Sequence, residues 1–370
     1  MRGNIRKRGS NSWLMQLELD RINGKRNRRF VTFKGTYKEA QKELTALLKA
    51  VDAGSLSDVT NMTVAEYVTA YLDGVHSLAP KTLERYRELA AHQIAPHLGN
   101  VKLQKLRPEH IDQWHATLLK TGLAARTVGH AHRLLGLVLK RAVENGTIAR
   151  NVAAIRKPPA VEESELDILA PEQIASVLDA LKDHALHPLI SLALATGMRP
   201  GELLALQWGD IDLDRGTLRI ERSVEETRAG GLRLKAPKTK RGRRGITLPA
   251  EAVAVLRAHK VNLLQLRLVL GLGNITAETL VFSSSEGKLL SPNNVTRAWH
   301  RACRAKGLPA VSFQSLRHAH ASALIRSHVD VLTVSRRLGH SKPHVTLDVY
   351  GHLIEGADAA AAKAIDEVLK

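Results

Sequence analysis

The sequence is poor in the features that would place it in several broad classes. It has one cysteine, Cys303, among 370 residues. That excludes a disulfide framework and any Cys-rich zinc module. No run of eighteen apolar residues occurs, so no membrane-spanning helix is expected. The basic opening, MRGNIRKRGSNSW, leads into no apolar signal core, which argues against secretion. No internal repeat is present. Acidic residues are scarce relative to bases: 36 Asp and Glu against 55 Lys and Arg, a net charge of +19 and a pI near 10.2. A soluble, cytosolic chain with a polyanionic partner is the class that remains, and nucleic acid is the leading one.

Composition is otherwise ordinary, with 44% hydrophobic and 25% charged residues, and the length suits two or three domains. The surplus charge is front-loaded. Residues 1–55 carry +8 and residues 61–157 carry +7, which leaves +4 for the remaining, larger part of the chain. Two small basic segments therefore precede a nearly balanced one, as expected if the first two grip phosphates.

Residues 1–55 read as strands followed by a helix. Trp13 to Leu19 partly alternates, Asn23-Gly24 is a hairpin turn, and Arg29 to Phe33 is a further strand. Ala40, Leu44, Leu47 and Leu48 then form a helical stripe within Tyr37–Val51. A three-stranded sheet would carry Arg6, Lys7, Arg8, Arg26 and Arg28 toward a DNA groove. Asp52 to Ser55 reads as a linker. Residues 61–157 read as a bundle of four or more helices. Thr63 and Glu66 have capping-box spacing, Pro80 and Pro108 stand at first-turn positions, and Ala125–Glu144 ends at Asn145-Gly146. Lys81, Arg85, Arg126 and Arg133 are its candidate phosphate contacts. Lys157 to Ser164 reads as the next linker. From Leu169 onward a mixed, mostly helical segment is expected. Its short strands at Thr217–Glu221 and Gly245–Leu248 are joined by a basic loop, and an Ala-rich helix closes the chain from Ala357 to Lys370.

Four separated elements carry the chemistry. ATGMRPGEL places Arg199 where one helix ends and Pro200 starts the next, so that a guanidinium and backbone N–H groups can meet an anion. PKTKRGRR is a basic hairpin loop holding Lys238, Lys240, Arg241 and Arg243. QSLRH supplies Gln314 and Arg317, and LGH supplies His340, with Tyr350 ten residues later in TLDVYGH. Singly, each fits a surface charge, a solvated loop or a half-buried tyrosine. His318 and His320 point to different faces, and Pro343 spoils the His340–His344 spacing, so a metal site is not expected.

In this order and spacing, the elements resemble the tyrosine recombinases of the phage integrase family. ATGMRPGELLAL, PKTKRGRR, LRHAHASALI, LGH and TLDVYGHL occur in sequence between residues 168 and 355. The resemblance implies a multidomain protein, mainly α with small β elements. Its parts would be a sheet-plus-helix domain for arm-type DNA sites at 1–55, a helical core-binding domain at 61–157, and a mixed α/β, mostly α, catalytic domain at 168–370 with a C-terminal docking helix. It implies that Tyr350 is the nucleophile, forming a 3′-phosphotyrosyl bond. Arg199 and Arg317 would clamp the phosphate, His340 would hydrogen-bond it or assist proton transfer, and Lys238 would protonate the leaving 5′ oxygen, with Lys240 as the competitor. Glu202 would orient Arg199. No cofactor or metal is implied. The partners implied are double-stranded DNA with core-type and arm-type attachment sites, a homotetramer on that DNA, and DNA-bending or directionality proteins. The setting would be the cytoplasm and nucleoid of a bacterial host.

One departure stands out. The family's His-x-x-Arg element begins here with Gln314, which can donate a hydrogen bond but cannot move a proton near neutral pH. His318 and His320 are expected on other faces of that helix. The activity implied is integration and excision of a phage or other mobile element. The alternatives are a Xer-like resolvase of DNA dimers, a type IB topoisomerase acting alone, and, because of Gln314, a weakly active or non-catalytic DNA-binding protein.

Overall fold

Alternating apolar and polar residues near the start of the chain build a three-stranded antiparallel sheet. Its strands are β1 (Gly3–Gly9), β2 (Ser12–Ile22) and β3 (Lys25–Lys34), in that spatial order. This computed structural model describes residues 3–22, 25–52, 60–162, 169–237 and 240–351, with Ala362, residues 365–367 and Leu369 near the end. The expected Asn23-Gly24 turn, the residues of the first linker beyond Asp52, Lys238 and most of the Ala-rich tail lie outside the described residues. The register aligns Ile5, Met15 and Val31 across the sheet. Met15 and Leu17 on this face bury completely against Leu44 of α1 (Tyr37–Asp52), so the sheet turns one face to the helix. The opposite row aligns Arg6, Leu14 and Thr32.

A run of helices follows: α2 (Val64–Gly74), α3 (Pro80–Leu89), a π turn at Ala90–Ile94, α4 (Ala95–Leu98), α5 (Pro108–Lys120) and α6 (Ala125–Glu144). The capping box is formed: the Glu66 carboxylate accepts from the Thr63 N–H at 2.7 Å, and the Thr63 hydroxyl accepts from Glu66 N–H at 3.3 Å. Helix α6 is the spine of this part. Val128, Leu134, Leu135, Val138 and Leu139 are each at most 1% exposed, and each such side chain contributes about 1.5–3 kcal/mol of burial. The π turn gains a fixed partner, because the Trp114 indole donates to the Gln93 carbonyl at 2.7 Å. The whole stretch Met1–Glu163 forms one compact unit, and Ser164–Lys370 forms a second.

The second unit opens with α7 (Pro171–Ala180), α8 (His187–Thr196) and the short α9 (Pro200–Leu203). Strands β4 (Ile211–Asp212), β5 (Thr217–Ile220), β6 (Ser223–Thr227), β7 (Gly231–Lys235) and β8 (Arg244–Thr247) come next. Helices α10 (Ala250–Val269), α11 (Pro292–Ala305), α12 (Phe313–Arg326), α13 (Val331–Leu338) and α14 (His344–Tyr350) complete it. The two expected strands pair as β5 and β8, but the chain between them is not a simple basic loop. It makes an antiparallel hairpin of β6 and β7. Charge hid this hairpin in the sequence. Glu225, 5% exposed, takes Arg233 at 2.6 Å and Lys235 at 2.5 Å, so opposite charges pair across one face of the hairpin while Val224 and Leu232 pack on the core. The main core joins α8 to α11, α12 and the small sheet through Leu189, Ile190, Trp299 and Leu316. A smaller cluster of Ala321, Ile325, Val334, Leu338 and Tyr350 ties α12, α13 and α14 together. Among the described residues, no helix is long and apolar enough to cross a membrane.

Candidate functional site

Two left-handed glycines set the geometry. Helix α8 ends at Gly197, φ +63°, and α13 ends at Gly339, φ +69°. A Cβ on Gly197 would lie 2.6 Å from the His320 ring, and one on Gly339 would lie 2.7 Å from the Arg244 guanidinium. Glycine is required at both places by conformation and by space. Beside each turn is a carbonyl that Arg317 uses: its guanidinium donates to Gly197 O at 2.7 Å and to Leu338 O at 2.8 Å. Arg317 is only 3% exposed. Burial, and then the neighbouring Arg199 charge, push its pKa down to about 9, so it remains a cation at neutral pH.

Arg199 caps α9, as its position before Pro200 implies. The buried carboxylate of Glu202 accepts from the Arg199 backbone N–H at 3.0 Å and from its guanidinium at 2.9 Å. The same carboxylate accepts from Arg244 at 3.0 Å. Burial opposes ionisation of Glu202, but Arg244 and Arg199 outweigh it and hold the carboxyl below its ordinary range. Arg244 also donates to the Arg337 carbonyl at 2.6 Å, which joins β8 to the last turn of α13. Sequence reasoning passed over Arg244. Its only signal there was membership of the basic loop, and nothing marked it as the buried member.

His340 follows the Gly339 turn, and its Nδ1 shares a hydrogen bond with the Thr346 hydroxyl at 2.7 Å. Burial, then Arg317, Arg199 and Arg244, lower its pKa to about 4, so it is neutral at pH 7. Tyr350 ends α14 at 1% exposure. Burial raises its pKa to about 12, opposed by Arg317. Its hydroxyl lies 2.7 Å from Nδ1 of His318. This corrects the expectation that His318 lies off the site. Residues 314 and 318 are four apart on α12 and share a face, so His318 is carried toward α14. Gln314 itself is exposed in the first turn of α12. His320 turns to the opposite side, donating from Nδ1 to Leu194 O at 2.7 Å and accepting from Arg337 at 3.1 Å.

In the basic loop, Lys238 lies outside the described residues, and Lys240 opens a 3₁₀ turn, Lys240–Gly242. Arg241 is exposed and donates to the Ser341 carbonyl at 2.7 Å, so the loop reaches the segment that carries His340. Arg243 is exposed and faces Glu221 at 3.7 Å.

The other candidate DNA contacts divide between two places in the first unit. Arg6, Lys7 and Arg8 are exposed on β1, and Arg8 crosses the sheet to the Thr32 hydroxyl at 3.0 Å. Arg28 is exposed and pairs with Glu18 at 3.3 Å, while Arg26 lies in β3. On the helices, Lys81 and Arg85 each pair with a glutamate three residues on, Glu84 and Glu88. Arg126 and Arg133 are exposed. Burial, then Arg133, Arg85 and Arg126, depress the His130 pKa, which places these three cations around one patch of α3 and α6.

Arg199 and Arg244, far apart in sequence, thus meet on the buried Glu202 carboxylate, Arg317 lies close enough to feel both of them and Tyr350, and His340 feels all three arginines. Residues 167–356 match the phage integrase family, and residues 63–119 match the phage integrase N-terminal SAM-like domain. An integrase of Streptomyces ambofaciens is 32% identical over 350 residues, covering 90% of this chain and 88% of that one. A XerC-like tyrosine recombinase of Caldanaerobacter subterraneus subsp. tengcongensis is 26% identical over 352 residues, covering 90% of each. The Tn1549 transposon integrase bound to transposon right-end DNA is similar in fold, with a TM-score of 0.72 at 19% identity, covering 82% of this chain and 98% of that one. A lambda integrase tetramer bound to a Holliday junction has a TM-score of 0.58 at 20% identity, covering 94% of each chain. Family match, relatives and site geometry agree: the chain belongs to the phage integrase family of tyrosine recombinases.

Proposed function

We propose that the chain integrates and excises a phage or other mobile element by site-specific strand exchange. Tyr350 attacks a scissile phosphate, forming a 3′-phosphotyrosyl bond and releasing a 5′ hydroxyl. Arg199 and Arg317 hold the non-bridging oxygens, where charge grows in the transition state. Glu202, pinned by Arg244, sets the Arg199 fork. His340, neutral at pH 7, is suited to hydrogen-bond the phosphate, and Gln314 donates from the first turn of α12. Lys238 protonates the leaving oxygen, with Lys240 the competitor. The carrying observation is Arg317, anchored by one hydrogen bond from each terminal nitrogen to the two glycine turns with further N–H donors left for a phosphate, on the helix that also contacts the Tyr350 hydroxyl.

The basic first unit supplies the DNA grip in this reading. Residues 1–55 bind arm-type sites through the exposed face of the sheet, and residues 61–157 bind core-type sites, with Arg85, Arg126 and Arg133 on phosphates. Lambda integrase, similar in fold, forms a tetramer on a Holliday junction, which supports a tetramer here, assembled through the Ala-rich tail. DNA-bending or directionality proteins assist at the arm sites, and the work takes place on nucleoid DNA in the bacterial cytoplasm. The test is a recombination assay with purified chain and two plasmids bearing DNA that flanks its gene. Recombinant junctions with the native chain support the proposal. Tight binding to the same DNA without junctions, even after Gln314→His, would favour a DNA-binding regulator.

A further inference from the structure

A tyrosine nucleophile has a proton to lose, and the family position that begins with histidine is Gln314 in this chain. We propose that His318 is the proton acceptor for Tyr350 in DNA cleavage, on the geometry that sets its Nδ1 2.7 Å from the Tyr350 hydroxyl. This rests on the recombinase reading and deepens it.

The alternatives around the phenol are poor acceptors. Gln314 has no basic nitrogen. Arg317 and Arg199 are cations, and Arg317 is committed to two backbone carbonyls. His340 bonds through Nδ1 to the Thr346 hydroxyl, whereas the Tyr350 hydroxyl bonds to His318. Glu202 is already shared by Arg199 and Arg244. His344 and Asp348, on the same helix as Tyr350, pair with each other at the surface, 3.2 Å apart. His318 is half-buried, its ring centroid 5.8 Å from that of Tyr350, and the two rings are inclined by 51°. Burial, then Arg317, lower the His318 pKa from its ordinary value, which keeps the imidazole neutral and able to accept at pH 7.

The step balances. The Tyr350 O–H bond breaks as its oxygen bonds to phosphorus, and the proton passes to His318 Nδ1. The P–O5′ bond breaks with its electron pair on the 5′ oxygen, which takes a proton from the lysine acid. In religation the imidazolium returns its proton to the departing phenolate. Arg317 beside the imidazolium favours that return, while the phosphate offsets the added positive charge during cleavage.

The experiment is single-turnover adduct formation between pH 5.5 and 9 on nicked duplexes tiled across the DNA flanking the gene. The native chain, His318→Gln and each with 3,5-difluorotyrosine at position 350 are compared. General-base assistance is worth about 10²–10⁴-fold, so His318→Gln is expected to slow the adduct at least about a hundredfold at pH 7. Its rate should then climb with pH up to 9, where the native rate is already level. The fluorinated phenol, a stronger acid, should restore most of the loss in His318→Gln. Unchanged duplex binding shows that the variant is folded. Adduct formation at the native rate or faster in His318→Gln overturns the assignment and leaves His318 as a restraint on the tyrosine. A loss with no change in pH profile and no rescue by fluorination overturns it too, as a packing effect. No adduct from the native chain on any duplex overturns the recombinase reading itself, and this assignment with it.

Discussion

The Arg244 guanidinium and the Glu202 carboxylate meet at 3.0 Å with side chains only 7% and 4% exposed, and this buried pair links the basic loop to the helix that Arg199 caps. Removing one partner of such a pair strands the other charge away from water, at a cost of about 3–5 kcal/mol. Arg199 still neutralises Glu202 in part, so Arg244→Ala is expected at the lower end, about 3 kcal/mol, read from urea unfolding midpoints. It should also slow adduct formation, since Arg199 loses its fixed anchor. A variant as stable and as fast as the native chain would show that the pair is incidental.

Gly339→Ala probes the same contact from the other side. The added methyl would stand 2.7 Å from the Arg244 guanidinium on a residue at φ +69°. The backbone strain alone costs about 1–2 kcal/mol, and Arg244 must also move. Thermal unfolding should show the loss, with a larger fractional loss of cleavage because His340 is the next residue. Gly122→Ala, also at positive φ but with open space around it, supplies the comparison: strain without displacement.

His320 gives the fold a defined pH response. Burial, and then Arg337, lower its pKa to about 4, while the unfolded chain has an ordinary imidazole near 6.5. Between those values the unfolded state holds a proton that the folded state lacks. Stability is therefore full above pH 6.5, falls as pH drops through the window, and stops falling from this source near pH 4. The loss amounts to roughly 3 kcal/mol. Because His340 titrates in the same window, the His320 share is measured by chemical denaturation as the difference between native chain and His320→Gln in the stability lost from pH 7.5 to 4.5. His320→Gln keeps a donor and an acceptor but does not titrate, so its pH slope should be shallower by about one proton. An equal slope would remove His320 as the cause.

At position 314, histidine is expected to raise the cleavage rate or leave it unchanged, because the side chain is exposed and has room for the family residue. Initial rates of adduct formation for Gln314→His against the native chain decide it. A large loss would mean the pocket is built around glutamine.

Much of the fold and of the site is legible in the sequence. The caps at Thr63, the prolines at 80 and 108 and the end of α6 at Glu144 follow from local backbone chemistry, which acts within a turn. The motif residues from Arg199 to Tyr350 were legible because their order and spacing are specific. What escaped was non-local. Arg244 could not be told from Arg241 or Arg243 until burial chose it. The β6–β7 hairpin is held by Glu225 with Arg233 and Lys235, a pattern that reads as loop. His318 escaped through the helical wheel itself, since four residues from Gln314 is one turn along the same face.

The central claim is that Tyr350 forms a covalent bond to DNA. The most direct measurement traps the native chain on nicked duplexes from the DNA flanking its gene, digests the adduct, and locates the nucleotide-bearing peptide by mass spectrometry. The expected result is an SDS-resistant adduct carrying a 3′ phosphate on Tyr350, absent in Tyr350→Phe with duplex binding retained. An adduct on any other residue, or one that persists in Tyr350→Phe, would contradict it.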